Sequence, residues 1–262
     1  MDATAWLGLE PTHNPMRWVL PVTPGISTCH QFLFGGCGLG AAIAALEGSS
    51  GRPVIWATAQ YLSYAMVDTV LDLDVTVAVA GHQITQARVV GHVADREVVT
   101  VNAALGSRPY EGEGQWDRMP DVPPPGELPV RSDHPFGDDN RTLMRRMDQR
   151  LAKGHLWDDL EGKGQDDGTS AMWVRLPELL DVSAPALAIL GDFVPFGIGQ
   201  ALGRLGGGNS LDNTLRVARI VPTEWVLLDV RIHAVANSFG HGLVHLRAQD
   251  GTLLGTASQS TI

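Results

Sequence analysis

Three polar residues in the C-terminal third of the chain stand out by type and setting. Asp192 lies in Leu190-Gly191-Asp192-Phe193-Val194-Pro195-Phe196, just before an apolar helical stretch. Ser210 lies in Gly208-Asn209-Ser210-Leu211-Asp212-Asn213, where a strand begins, and Gln259 lies at the end of the last strand. A carboxylate accepts protons, and a hydroxyl or an amide both donates and accepts hydrogen bonds. Each residue also has a plain structural use. Asp192 suits a helix N-cap, Ser210 a turn after Gly206-Gly207-Gly208-Asn209, and Gln259 a solvent-facing strand position. Cys37 sits near the start of a Gly/Ala-rich helix, where a thiol can become a nucleophile. A Cys among Gly and Ala is more simply a small buried residue. Histidines 82, 92, 233, 241 and 245 fall on or beside strands. A metal centre needs three converging ligands, which His241 and His245 alone do not supply, so no metal is expected. There is no Gly-x-Ser-x-Gly elbow, HExxH or P-loop. Gly35-Gly36-Cys37-Gly38-Leu39-Gly40 is glycine-rich, but no clear βαβ strand precedes it, so a dinucleotide site is not indicated.

The elements that must position these residues follow from hydrophobic periodicity. Residues 16–106 hold a helix over Phe34–Glu47 and strands over Pro53–Tyr64, Val70–Val79, Gln83–Val93 and Glu97–Leu105. The strands are rich in Val, Ile and Thr and end at turns such as Gly81-His82 and Asp95-Arg96. Residues 107–169 form a proline-rich crossover. Within it Pro123-Pro124-Pro125 must be extended and cannot join a sheet ladder. Asn140–Leu151 reads as a short helix with basic faces, and Asp158–Thr169 as an acidic, Gly-rich mobile loop. Residues 170–262 repeat the first pattern. They hold a strand over Ser170–Leu176, a helix over Phe193–Arg204, then strands over Asn209–Val217, Trp225–Val235, Gly242–Ala248 and Thr252–Gln259.

The repeat can be read residue by residue. Gly38-Leu39-Gly40 recurs as Gly197-Ile198-Gly199, and the turn residue Asp95 recurs as Asp250. Each Asp is followed, after two residues, by an apolar pair: Val98-Val99 in one half, Leu253-Leu254 in the other. A central helix wrapped by a four-stranded antiparallel meander is the hotdog arrangement. The fold class is therefore α+β, a double hotdog whose halves share one continuous sheet. Aligning the halves sets Leu33, Trp56 and Ala104 opposite Asp192, Ser210 and Gln259, so one polar centre is expected per chain.

Composition narrows the partners. The 262 residues carry a net charge of −10, which argues against nucleic acid, because phosphate contacts need clustered Lys and Arg. Two cysteines, Cys29 and Cys37, cannot build a disulfide framework. No run approaches the apolar length of a membrane helix and no secretory signal is evident, so a cytoplasmic location is expected. Abundant Gly, Ala and Arg, with Lys only at positions 153 and 163, hint at a bacterial source.

The sequence resembles the acyl-CoA thioesterase II family of double-hotdog thioesterases. The resemblance rests on Phe34-Gly35-Gly36 opening the first helix, the Met119-Pro120 to Pro125 linker, the Asp192 segment with its apolar helix, Ser210-Leu211-Asp212, Gln249-Asp250-Gly251, and Gln259. It implies hydrolysis of a fatty acyl-CoA to free acid and coenzyme A, without a metal or redox cofactor. It implies that Asp192, Ser210 and Gln259 hold the attacking water, with Asp192 as proton acceptor and Asp212 part of the motif without being the base. Backbone N–H groups around Gly35, Gly36 and Cys37 would stabilise the oxyanion. It also implies a homodimer or higher homo-oligomer. The chain departs from the family at Cys37, where Gln is usual, at Asn213, where His often follows the Asp, at Gln259-Ser260-Thr261, and in having only Arg88 of the third-strand basic doublet. These departures bear on substrate preference and leave the trio intact. Two other readings stay open: a non-catalytic acyl-thioester binding protein, and a hotdog enoyl-CoA hydratase. The hydratase needs an Asp/His pair on one segment, and none is seen.

Overall fold

The structure is a computed structural model that describes residues 1–109, 112–131, 142–179, 181–205 and 208–262. The chain opens with a short helix α1 (Ala3–Leu7) and strands β1 (Glu10–Pro11) and β2 (Arg17–Pro21), followed by the central helix α2 (Gly35–Ser50). Strands β3 (Val54–Tyr61), β4 (Val70–Ala80), β5 (Ile84–Val93) and β6 (Arg96–Gly106) complete the first half. Strand β7 (Asp148–Lys153) lies within the segment 107–169 expected as crossover, and β8 (Thr169–Arg175) follows it, then helices α3 (Ala184–Leu190) and α4 (Val194–Leu202). Strands β9 (Asp212–Val217), β10 (Val226–Ala236), β11 (Phe239–Ala248) and β12 (Leu253–Thr261) end the chain.

All the strands join one 12-stranded sheet in the order β1-β2-β4-β5-β6-β3-β9-β12-β11-β10-β8-β7. β1 to β6 make one half of this order and β7 to β12 the other, and β3 and β9 meet antiparallel at the seam. There Trp56 pairs with Arg216, Thr58 with Thr214 and Gln60 with Asp212. The Thr58 and Thr214 hydroxyls stand 2.6 Å apart, joining the two meanders at the seam's centre. The arrangement is an α+β double hotdog.

α2 fills the centre. Its residues Gly36 to Leu46 are buried on every face, so it needs no polar side. Glycines are poor helix formers, yet here they permit close packing. A Cβ on Gly36 would stand 2.8 Å from the Ala188 carbonyl oxygen, and one on Gly40 would stand 2.9 Å from that of Pro185. The spacing of the two glycines lays α3 directly against α2. Gly51, at φ +65°, ends α2 in a left-handed cap.

Several local expectations are corrected. The second central helix is two helices, because Pro195 cannot donate to the Gly191 carbonyl and clashes with it. α3 is an element the apolar pattern does not mark, and Asp192 sits in the break. Together Ala184–Leu202 reach a mean hydropathy of 1.3 over eighteen residues, comparable with a membrane helix, contrary to expectation. That window is 78% buried within the protein, so the core accounts for its apolar character. The helix expected over Asn140–Leu151 is, within the described residues, a single 3-10 turn over Leu143–Arg146 followed by β7; residues 140–141 lie outside them. The stretch expected as a mobile loop, Asp158–Thr169, is pinned to α4. Gly162 N–H donates to the Gly203 carbonyl and Gln165 N–H to that of Gln200. The proline-rich segment packs on the outer face of the second half. Met119, Val122 and Leu128 cover Ala171, Trp173, Trp225 and Leu227, and the Trp173 indole donates to the Pro123 carbonyl at 2.9 Å.

Candidate active site

The break between α3 and α4 brings Asp192 to the first turn of α2. It does not act as the N-cap of its own helix: Phe193 holds that position without a side-chain cap. Instead Asp192 Oδ2 accepts from the Gly36 N–H at 2.6 Å, so a carboxylate from one half caps the helix of the other. A side chain on Gly35 would crowd this hydrogen bond. A Cβ would stand 2.8 Å from Asp192 Oδ2 and 3.1 Å from the Tyr61 hydroxyl.

Ser210 and Gln259 converge on the same carboxylate. Ser210 Oγ donates to Asp192 Oδ1 at 3.4 Å. Gln259 Nε2 donates to Asp192 Oδ1 and, at 3.0 Å, to Ser210 Oγ. Gln259 Oε1 accepts from the Val194 N–H at 3.0 Å, which fixes the amide's orientation and caps α4. Two helix N-termini therefore meet at the trio. Backbone pairing sets the other two residues: Ser210 bridges Thr261, and Leu211 N–H donates to the Ser260 carbonyl. Asp212 Oδ1 accepts from the Ser260 N–H at 2.8 Å, so it anchors the strand carrying Gln259 and does not touch Asp192 through a hydrogen bond.

Asp192 is 7% exposed and Gln259 3%. Burial pushes the Asp192 carboxyl above its ordinary range, while hydrogen bonds from Gln259, Gly36 and Ser210 pull it back. The site opens onto a cavity of about 670 Å³. Apolar side chains such as Leu33, Phe34, Phe193, Phe196 and Trp157 make much of its wall, with Arg131 and Arg145 among the polar residues. Asp192 and Ser210 line this cavity while Gln259 does not, so the cavity can take an apolar chain with its head at a carboxylate and a hydroxyl that Gln259 holds in place.

The expected Gly35, Gly36 and Cys37 oxyanion group is only partly available. The Gly36 N–H is engaged by Asp192, and the Cys37 N–H donates to the Phe34 carbonyl at 3.0 Å. Cys37 is fully buried and absent from the cavity wall; burial, with the nearby Asp192 charge, pushes its thiol up, which removes a nucleophilic role. Gly35 lies in the cavity wall, and no hydrogen bond from its N–H is found among the described residues. Sequence reasoning missed Tyr61. It lines the cavity and donates through its hydroxyl to the Gly35 carbonyl at 2.8 Å. Ending an apolar strand, it carries no motif that would have marked it. Leu33, the expected counterpart of Asp192, also lines the cavity.

Fold and site define a double-hotdog protein of the thioesterase class. Residues 117–262 match the family described as acyl-CoA thioesterase C-terminal domain, and the chain belongs to that acyl-CoA thioesterase family. Among solved structures, a putative thioesterase from Novosphingobium aromaticivorans is 32% identical, with 96% of this chain and 97% of that one covered and a TM-score of 0.86. A hot dog fold protein of unknown function from Alicyclobacillus acidocaldarius is 18% identical, with 99% and 96% covered and a TM-score of 0.85. The acyl-CoA thioesterase II TesB2 from Mycobacterium marinum is 17% identical, with 100% and 97% covered and a TM-score of 0.72. A search of curated proteins finds no match.

Proposed function

We propose that this protein hydrolyses a fatty acyl-CoA to free acid and coenzyme A through a water held by Asp192, Ser210 and Gln259. The supporting observation is the convergence of these three side chains at the start of α2, with Asp192 and Ser210 in the wall of a largely apolar cavity. Asp192 takes a proton from the water as its oxygen attacks the thioester carbonyl. Ser210 and Gln259 orient that water. The Gly35 N–H, at the positive end of α2, faces the developing oxyanion. Collapse of the tetrahedral intermediate expels the coenzyme A thiolate, and no acyl-enzyme forms. The acyl chain occupies the apolar part of the cavity.

The test is release of free thiol from acyl-CoAs of varied chain length. The wild type is expected to release thiol, and Asp192→Asn to lose about 10²–10⁴-fold in rate while staying folded, the range of a lost general base. A folded Asp192→Asn variant at full rate would refute the assignment. Binding without release would instead point to a binding module, and water addition to crotonyl-CoA to a hydratase.

A further inference from the structure

Tyr61 and Asp192 approach the same peptide group from opposite sides. The Tyr61 hydroxyl donates to the Gly35 carbonyl at 2.8 Å, and the next N–H, that of Gly36, donates to Asp192 Oδ2 at 2.6 Å. Carbonyl and N–H belong to the one planar unit that joins Gly35 to Gly36. A donor on the oxygen of an amide polarises it and makes its N–H a better donor, so the two hydrogen bonds strengthen each other. The glycine at position 35 is the space that lets phenol and carboxylate close on this unit together.

We propose that Tyr61 is a positioning residue for Asp192, acting through the Gly35–Gly36 peptide group to orient its Gly36 N–H and favour the ionised carboxylate. The inference rests on the reading of Asp192 as the base, and it adds a residue from the first half to a trio drawn from the second. Tyr61 does not itself exchange a proton: burial holds the phenol well above its ordinary range, and the nearby Asp192 charge adds to this. The other ionisable groups near Asp192 are Cys37 on α2, with Arg146 nearby, and Asp212 on β9. α3, α4 and β12 contribute no charged residue. Cys29, His30, Tyr64, Arg131 and Arg145 line the shared cavity. Cys37, like Tyr61, is held protonated by burial.

The test is Tyr61→Phe, read in two ways. The Asp192 carboxyl is titrated by carbon NMR in the free protein, and kcat/KM for an acyl-CoA is followed against pH. Loss of the phenol donor should move the Asp192 midpoint, and the acid limb of the rate profile, upward by a few tenths of a pH unit. A residue that only fills space would leave the midpoint where it is. An unmoved midpoint in a folded Tyr61→Phe variant overturns the proposal. If the wild type hydrolyses no thioester, the functional reading fails, while the NMR midpoint still decides the relay. If Tyr61→Phe does not fold, replacing the three tyrosines of the chain by 3-fluorotyrosine keeps the test open. The more acidic phenol should then move the midpoint downward, and no movement overturns the proposal.

Discussion

Asp192 is a buried carboxyl that three donors meet, and that arrangement sets the pH dependence of both rate and stability. Its carboxyl is raised by burial, so the folded state holds the proton more tightly than the unfolded chain does. By linkage, this residue's contribution to stability is fully present below the unfolded value and is lost as pH rises through the raised folded one. Asp74 and Asp167 act the other way: held low by Arg17 and by Lys153, they add stability that is lost only as pH falls. The difference between wild type and Asp192→Asn isolates the first effect. As pH rises through the raised folded value, wild-type melting temperature should fall relative to the variant, while wild-type activity rises with it. A constant difference through that rise would contradict the assigned shift. Asp192, Ser210 and Gln259 were legible in the sequence because a family pattern marks them. The partner of the carboxylate was not: an Asp before a helix reads as that helix's own cap, and only the packing of α3 on α2 shows which helix it serves. Tyr61 was illegible for a related reason, since its function lies in a backbone carbonyl far away in sequence.

The helices and strands show where local preference decides and where packing does. α2 and most strands were legible because their apolar pattern and their final positions agree. β7 was not: Asp-Gln-Arg-Leu-Ala-Lys holds mostly helix-favouring residues, and only the open edge of β8 makes it a strand. β2 is five residues long and ends in proline, too short to declare itself, yet it pairs along β4 from Arg17 to Pro21. The glycines of α2 invite a comparison within a single helix. Gly36→Ala would set a methyl 2.9 Å from both the Ile189 carbonyl oxygen and Asp192 Cβ, and should cost about 1–3 kcal/mol together with most activity. Gly38→Ala meets only Leu33 at 3.5 Å, an ordinary contact, and should be neutral or add up to about 1 kcal/mol through helix propensity. Denaturant unfolding of the two variants checks both outcomes. Equal losses would show that the α2–α3 approach does not govern the glycine requirement.

At the scale of the whole molecule the two halves are not separable units. The β3–β9 seam joins their sheets, α3 lies along α2, and the Asp192–Gly36 hydrogen bond crosses between them. Heating should therefore give one calorimetric transition whose van't Hoff and calorimetric enthalpies agree. Two resolved transitions would show that the seam is weaker than its contacts indicate. The crossing carboxylate has a further consequence. In a two-fold dimer of identical hotdogs, whatever stands at one end of the seam must stand at the other, so every gain and every sacrifice is made twice. A tandem chain is released from that symmetry. Leu33, which aligns with Asp192 in the sequence repeat, lines the same cavity. The aligned position is wall for the cavity that Asp192 opens onto, and each half can change there without dragging the other with it.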